Sequence, residues 1–347
     1  MAKNKTKYDF AIFIGRMQPP TRAHIATINQ ALSIADKVII FLGSSFQPRT
    51  IKNPWTHHER ASMVLNELPA DIGSRIIFKP IHDYRYNDQE WVQQIQQKVR
   101  QQTVSQENPK ICIIGCNKDD TSYYLKYFPQ WDSIDTDHIV DVDATTVREQ
   151  YFENTLRLWS DYELISIKLK EYLQKWAKTA DFLKLKREYE FIQTYKKGWE
   201  TSPYPPTFVT ADAIVIQSGH ILLVQRKATP GEGLWAVPGG FVNTNEPIEN
   251  AAIRELREET KLKVPEPVLR GNIIGNRVFD APNRSLRGRT ITHAYAFELP
   301  AGPLTKVKGG DDARKAKWIP ISEALEMEEF MFEDHIELVR WGVSLCR

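Results

Sequence analysis

In the first half of the chain, short apolar runs alternate with segments whose apolar positions recur every three or four residues. "FAIFIGRM" (10–17), "KVIIFLGSS" (37–45), "RIIFKPI" (75–81) and "KICIIGC" (110–116) read as buried strands, and three of the four run into a glycine. Between them, "AHIATINQALSIA" (23–35), "HHERASMVLNEL" (57–68) and "EWVQQIQQKVRQQ" (90–102) carry helical periodicity. Strands alternating with helices predict an α/β domain with a parallel, doubly wound sheet covered on both faces. Right-handed crossovers then put the ligand crevice at the carboxyl ends of the strands, where the glycines fall.

From about residue 156 to 200 the pattern turns helical and lysine-rich, and it breaks at "TSPYPPT" (201–207), whose prolines cannot continue a helix. The domain join is expected there. Beyond it, "TADAIVIQSG" (210–219) and "HILLVQRK" (220–227) are strand candidates joined by a Ser218-Gly219 hairpin turn. A glutamate-rich segment, the strand-like "GRTITHAYAFEL" (288–299) and a C-terminal helix follow, an order that suggests an α+β or three-layer sandwich.

Composition narrows the class of partner. The 347-residue chain suits about two domains, and a net charge of +2 gives no bulk argument for nucleic acid or an anionic membrane. No run reaches membrane-spanning length, and "MAKNKTKYDF" (1–10) has no signal-peptide core. The three cysteines, Cys112, Cys116 and Cys346, form no disulfide framework, and the first two read as small core residues rather than a metal pair. A soluble protein of a reducing compartment, the cytoplasm, is expected, with oligomerisation left open.

Two stretches carry chemistry. In "IFIGRMQPPTRAHIATINQ" (12–30) a strand, a glycine turn and a helix start are coupled, and backbone N–H groups at such a start form an anion site reinforced by the helix dipole. Thr21 and His24 stand where a hydroxyl and an imidazole can face a phosphate, although a lone histidine is also an ordinary structural residue. The Walker pattern is missing. The second stretch, "GGFVNTNEPIENAAIRELREETKL" (239–262), gathers five glutamates around Arg254. Glu255, Glu258 and Glu259 share one helix face, where like charges repel by a few tenths of a kcal/mol per pair. A divalent cation would offset that repulsion, and a solvated acidic surface is the plainer reading.

Thr21-x-x-His24 resembles the [H/T]-x-G-H signature of the nucleotidyltransferase superfamily, and "VDATTVR" (142–148) resembles its I-S-x-T-x-x-R motif. With "IKNPWTHHER" (51–60), "PIHDYRYNDQEW" (80–91) and "IIGCNKDDTSYYLKYFPQW" (113–131), residues 8–155 look like the archaeal-type nicotinamide mononucleotide adenylyltransferases. The resemblance implies a Rossmann-like domain that transfers AMP from ATP to nicotinamide mononucleotide (NMN), giving NAD and pyrophosphate. It implies that His24 and Arg148 stabilise developing phosphate charge, and that Gly15, Arg16, Thr21, Lys52 and Thr145 hold phosphates. Asn87 and Trp91 would hold the nicotinamide. Ala23 replaces the signature glycine, Asp143 the usual serine, and Lys52 a frequent arginine; none of these removes the phosphate-binding side chains.

The glutamate segment fits the Nudix box G-x5-E-x7-R-E-U-x-E-E-x-G-U through Gly240, Glu246, Arg254, Glu255, Leu256, Glu258, Glu259 and Leu262. The resemblance covers residues 207–347 and implies a Nudix sandwich. Glu255, Glu258 and Glu259 would bind Mg²⁺ or Mn²⁺, with Glu258, Glu259 and Arg254 in catalysis. Lys261 stands where the box has glycine, which puts the left-handed turn ending the helix in doubt. "NRVFDAPNRSLRGRTITHAY" (276–295) resembles the substrate loop of ADP-ribose pyrophosphatases, with Arg277, Arg284, Arg287 and Arg289 for phosphates and Phe279 to stack on a base.

The expected organisation is thus a nucleotidyltransferase domain over 1–182, a helical, proline-rich linker over 183–206 and a Nudix domain over 207–347. The expected ligands are ATP, NMN, NAD and ADP-ribose. Two alternatives remain: a Nudix half that senses a ligand without hydrolysis, or one that acts on another nucleoside diphosphate derivative.

Overall fold

Apolar runs that must be buried on both faces need a parallel sheet, and the first half of the chain builds one. In this computed structural model the described residues are 7–115, 125–136, 144–153, 165–310 and 312–346. Strands β1 (Tyr8–Gly15), β2 (Ala35–Leu42), β3 (Ile76–Pro80), β4 (Ile111–Gly115) and β5 (Asp132–Asp135) lie in the order β3-β2-β1-β4-β5. Every neighbouring pair is parallel. Helices α1 (Arg22–Ile34), α2 (His57–Glu67) and α3 (Asp88–Thr103) connect β1 to β2, β2 to β3 and β3 to β4, and α4 (Ala144–Phe152) follows β5.

Alternation along β1 divides the core in two. Ala11 and Phe13 pack with Ile28 and Leu32 of α1 on one side, while Phe10, Ile12 and Ile14 pack with Val92 and Ile95 of α3 on the other. Each such fully buried side chain contributes about 1.5–3 kcal/mol. The strand order reverses between β1 and β4, so a crevice opens at the carboxyl ends there. This is the Rossmann-like, doubly wound sheet that the alternating pattern predicts.

Helices α5 (Ile167–Trp176) and α6 (Ala180–Lys197) follow. The chain divides into two compact units, 1–186 and 187–347, and the division falls inside α6. Residues 183–197 of the expected helical, proline-rich linker are helix, and neither helix nor strand covers 198–206, where the prolines fall.

The second unit holds a mixed sheet. Strands β6 (Thr207–Gln217), β7 (His220–Arg226), β8 (Trp235–Ala236), β9 (Gly239–Phe241), β10 (Ile273–Phe279), β11 (Arg289–Glu298) and β12 (Ala313–Pro320) build it. Its main path is β10-β11-β6-β7-β12, with β8 on β7 and β9 on β6. β6 and β11 run parallel from Thr207↔Arg289 to Ile216↔Glu298, and the other pairs are antiparallel. The β6–β7 hairpin turns through Ser218 (φ 47°) and Gly219 (φ 72°), two left-handed positions in succession as a type I′ turn requires.

Alternation again decides the layers. Ala213 and Val215 of β6 share a core with Ile253 and Leu256 of α7 (Ile248–Thr260). Ile214 faces the opposite side, against α10 (His335–Leu345), where a Cβ on Gly342 would stand 2.5 Å from it. The unit is a sandwich with helices on both faces. Short helices α8 (Glu266–Gly271) and α9 (Ile321–Ala324) lie in the connections. No helix among the described residues is long and apolar enough to cross a membrane.

Candidate active sites

In the first unit the carboxyl ends of β1, β2 and β3 meet the start of α1. Thr21 is the N-cap of α1, whose first turn contains no acid to oppose an anion. His24 Nδ1 accepts from the Thr21 backbone N–H (3.0 Å) and lies 2.7 Å from the Thr21 hydroxyl. An Nδ1 that accepts places the proton on Nε2. Burial pushes the His24 pKa down to about 4, so near neutrality the ring is an uncharged donor through Nε2–H. Ala23, which replaces the signature glycine, takes ordinary helical backbone in α1, so no left-handed conformation is required there.

Four cations, Arg16, Lys52, Arg85 and Arg148, gather near one another. Burial, then Arg16, Arg85 and Arg148, push the Lys52 pKa down to about 8, and Asp83 opposes them. Cations crowded in this way call for an anion. Arg148 of α4 is buried; its guanidinium donates to the carbonyl of Gln18 (2.5 Å) and to the Thr145 hydroxyl (3.0 Å). Gln18 in turn brackets the Trp55 backbone, donating to its carbonyl (2.8 Å) and accepting from its N–H (3.1 Å). Lys52, Thr145, Arg148, Arg16 and His24 are thus brought to one region. Gly15 ends β1, and a Cβ there would meet only ordinary contacts within the protein.

Two residues that organise the site went unnoticed in the sequence. Arg60 of α2 is fully buried and donates to the carbonyls of Arg16, Gly43 (2.8 Å) and Thr56 (3.3 Å) and to Ser45 Oγ (3.2 Å), fixing the loops after β1 and β2. Burial pushes its pKa down to about 10, still well above neutrality. Asp83, after β3, accepts from Ser44 N (2.7 Å), Ser44 Oγ (2.8 Å) and Gln47 Nε2 (3.0 Å). Arg60 left a signal: it falls in the apolar stripe of α2 with Met63 and Val64, where an arginine needs several acceptors.

The expected nicotinamide residues have local tasks as well. Asn87 caps α3: its carbonyl accepts from Glu90 N (3.2 Å) and its amide donates to Glu90 Oε1 (2.8 Å). Trp91 is half-buried with its ring 6.1 Å from that of Phe128. Asp143 and Cys116 lie outside the described residues.

In the second unit Arg254 clamps three carboxylates. Its guanidinium donates to Glu246 Oε1 (2.6 Å) and Oε2 (3.0 Å), Glu255 Oε1 (2.8 Å), Glu258 Oε2 (2.9 Å) and the carbonyl of Phe241 (3.1 Å). The clamp holds Glu246 down to about 2. Glu259 is pinned separately, accepting from Gly239 N–H (3.1 Å). Burial, with Glu255 and Asp212 adding repulsion, lifts the Glu259 pKa to about 8. A Cβ on Gly240 would stand 2.5 Å from Glu255 Oε1, so any larger residue there would displace that carboxylate.

Glu255 and Glu259 line a cleft of about 270 Å³ with Asp212, Arg226, Phe241, Arg287, Glu333 and His335. The donors are hard oxygens and a buried carboxylate unsettled by its own charge, a set that fits a divalent cation. Among the described residues no three carboxylate, histidine or cysteine side chains stand as a preformed cage, because Arg254 draws Glu258 to itself.

Lys261 keeps the turn that the box glycine would make. It sits at φ 50°, ψ 29°, and its N–H reaches the Arg257 carbonyl at 3.0 Å. The segment 308–310 completes the cap, with Lys308 N–H donating to Thr260 O (2.8 Å) and Gly310 N–H to Glu259 O (2.9 Å).

The substrate loop is corrected in part. Phe279, expected to stack on a base, is 1% exposed and packs edge-on to Trp341 at 5.7 Å, so it belongs to the core. Arg284 is buried in a bidentate pair with Asp334 (2.7 and 2.9 Å). Arg289 binds the Asp280 carbonyl and does not line the cleft, and the Arg277 guanidinium lies 5.0 Å from the Phe279 ring. Arg287 does line it, 5.1 Å from the ring of Phe241, which is 40% exposed. Phe241 is the aromatic that the sequence reading missed, although it directly follows the box glycines.

The folds and charge sets define a nucleotidyltransferase-like unit and a Nudix unit. The cytidylyltransferase-like family matches residues 12–134 and the NUDIX domain residues 206–342. The chain is 41% identical over 151 residues to a nicotinamide/nicotinic acid mononucleotide adenylyltransferase of Acinetobacter baylyi, covering 43% of this chain and 79% of that protein. It is 36% identical over 114 residues to an ADP-ribose pyrophosphatase of Methanocaldococcus jannaschii, 33% of this chain and 62% of that one. A crystal structure from Francisella tularensis, of a bifunctional NMN adenylyltransferase/ADP ribose pyrophosphatase complexed with AMP and a Mn ion, covers 98% of this chain and 100% of its own. Its TM-score is 0.88 at 35% identity. The chain belongs to this bifunctional NMN adenylyltransferase/ADP-ribose pyrophosphatase family.

Proposed function

We propose that the first unit joins ATP to nicotinamide mononucleotide, giving NAD and pyrophosphate, and that the second hydrolyses ADP-ribose to AMP and ribose 5-phosphate. The observation that carries the reading is a pair of incomplete charge sets in one chain. One is a cluster of cations beside a helix start; the other is a group of glutamates around one arginine.

In the transfer, a 5′-phosphate oxygen of the mononucleotide attacks the α-phosphorus of ATP, and the bond to the bridging oxygen breaks with its electrons leaving on pyrophosphate. No covalent enzyme intermediate is needed, so catalysis is positioning and charge stabilisation. The N–H groups of α1 with Thr21 hold phosphate oxygens, His24 donates through Nε2–H, and Arg16, Lys52 and Arg148 offset the accumulating charge. Arg60 fixes the loops that carry these groups. Trp91 offers its ring to the nicotinamide; for Asn87 to hold the amide, its cap to Glu90 must be shared.

In the hydrolysis, Glu255, Glu258 and Glu259 would hold the divalent cation, and Arg254 orients Glu255 and Glu258. When bound, the ion polarises the pyrophosphate and lowers the pKa of water. Gly239 N–H keeps Glu259 in place, Arg287 faces the diphosphate, and Phe241 offers the exposed ring on which a base can stack. Mg²⁺ and Mn²⁺ both suit the oxygen donors.

The test follows AMP release from ADP-ribose with each metal, beside Glu259→Gln, and NAD formation from ATP and NMN beside His24→Ala. Release with either metal, lost in Glu259→Gln, supports the hydrolase. Tight ADP-ribose binding without release would make the unit a sensor instead.

A further inference from the structure

The loop after β3 carries a cation, Arg85, which lies within "PIHDYRYNDQEW" (80–91) and has no role assigned above. Asp83, which directly follows His82, turns toward Ser44 and Gln47. Tyr84 then takes left-handed backbone (φ 45°) and its carbonyl accepts from Asn87 N–H (3.0 Å), which closes a tight turn. Inside that turn Arg85 is carried to the Lys52 side of the site, close enough for the two charges to oppose each other. Its Nη1 is buried and has no hydrogen-bond partner among the described residues. A buried guanidinium N–H left unpaired is costly, and the cost is recovered when an anion arrives.

The position argues which anion. Adenylyl transfer brings together two phosphate-bearing substrates, and the start of α1 follows β1 whereas Arg85 follows β3, two strands away in the sheet. Neighbouring strands are about 4.8 Å apart, so the two ends stand on the order of 10 Å from each other. One substrate's phosphates sit on α1, which leaves the β3 end to the other. We infer that Arg85 binds an anionic group of the mononucleotide, either its 5′-phosphate or, in an acid-form substrate, the ring carboxylate. This rests on the adenylyltransferase reading above.

Arg85→Gln tests it through KM for nicotinamide mononucleotide, nicotinic acid mononucleotide and ATP, with calorimetric binding of each mononucleotide alone. KM for a mononucleotide should rise roughly tenfold or more, with KM for ATP within about twofold and Arg85→Lys restoring part of the loss. An equal rise for both mononucleotides identifies the phosphate; a rise for the acid alone identifies the carboxylate. Unchanged KM for both, or a rise confined to ATP, overturns the inference. A wild-type protein that binds the mononucleotide without forming a dinucleotide would defeat the activity and leave the binding arm to judge Arg85.

Discussion

The two units solve opposite electrostatic problems with different kinds of sequence. The first crowds Arg16, Arg85 and Arg148 around Lys52, and burial together with their repulsion shows in its lowered pKa. The second crowds glutamates around Arg254, and burial together with carboxylate repulsion shows in Glu259. The first collects its charges from loops after β1, β2 and β3 and from α4, far apart in sequence, and needs Arg60 and Asp83 to fix the loops. The second draws its glutamates from one stretch ending in α7 and needs a single arginine to order them. A site built on one helix tolerates an odd residue at its end. A site built on loops depends on residues that never touch the substrate.

The largest effects should separate the units by activity. His24→Ala should lower NAD formation by about 10²–10³-fold, as losing one preorganised donor does. Glu259→Gln should lower AMP release by at least as much. The same Glu259→Gln should raise the melting temperature of the metal-free protein, because it removes a buried carboxylate whose charge is disfavoured. A gain of about 1 kcal/mol is roughly 2–4 °C for a unit of this size.

Next comes stability inside the Nudix unit. Asp334→Ala leaves Arg284 buried and unpaired and should cost about 3–5 kcal/mol, read by denaturant unfolding. Phe279→Leu should act in the same register, as a packing loss, with little change in KM for ADP-ribose. A raised KM without a stability loss would return Phe279 to the base-stacking role proposed for Phe241.

A subtler contrast is in pH. Lys52 is charged below its pKa of about 8 and neutral above it, so kcat/KM for NAD formation should fall as pH rises through 8. Lys52→Arg should remove that alkaline limb, because arginine stays protonated. The smallest effect is at the α7 terminus: Lys261→Gly should stabilise by about 1 kcal/mol, the left-handed penalty of a residue with a Cβ, without changing hydrolysis.

What could be read from the sequence follows the same division. The box from Gly240 to Leu262 is local, so its spacing alone places Arg254 among the glutamates. Alternating strand and helix patterns likewise give the parallel sheet, and Ser218-Gly219 gives the hairpin. Residues set by tertiary position were harder. Phe279 sits in an arginine-rich run that reads as an exposed loop, but it ends β10 with its ring against Trp341, whereas Phe241 on β9 borders the cleft. Arg85 and Asp83 give no periodic signal at all; a left-handed residue between them decides which way each side chain faces.

The central claim is that one chain carries two separate chemistries. The direct measurement is both activities, NAD formation and AMP release, in the same preparations of wild type, His24→Ala and Glu259→Gln. The account predicts that each variant loses one activity and keeps the other within about twofold. Loss of both activities from either substitution, in protein that remains folded, would contradict it.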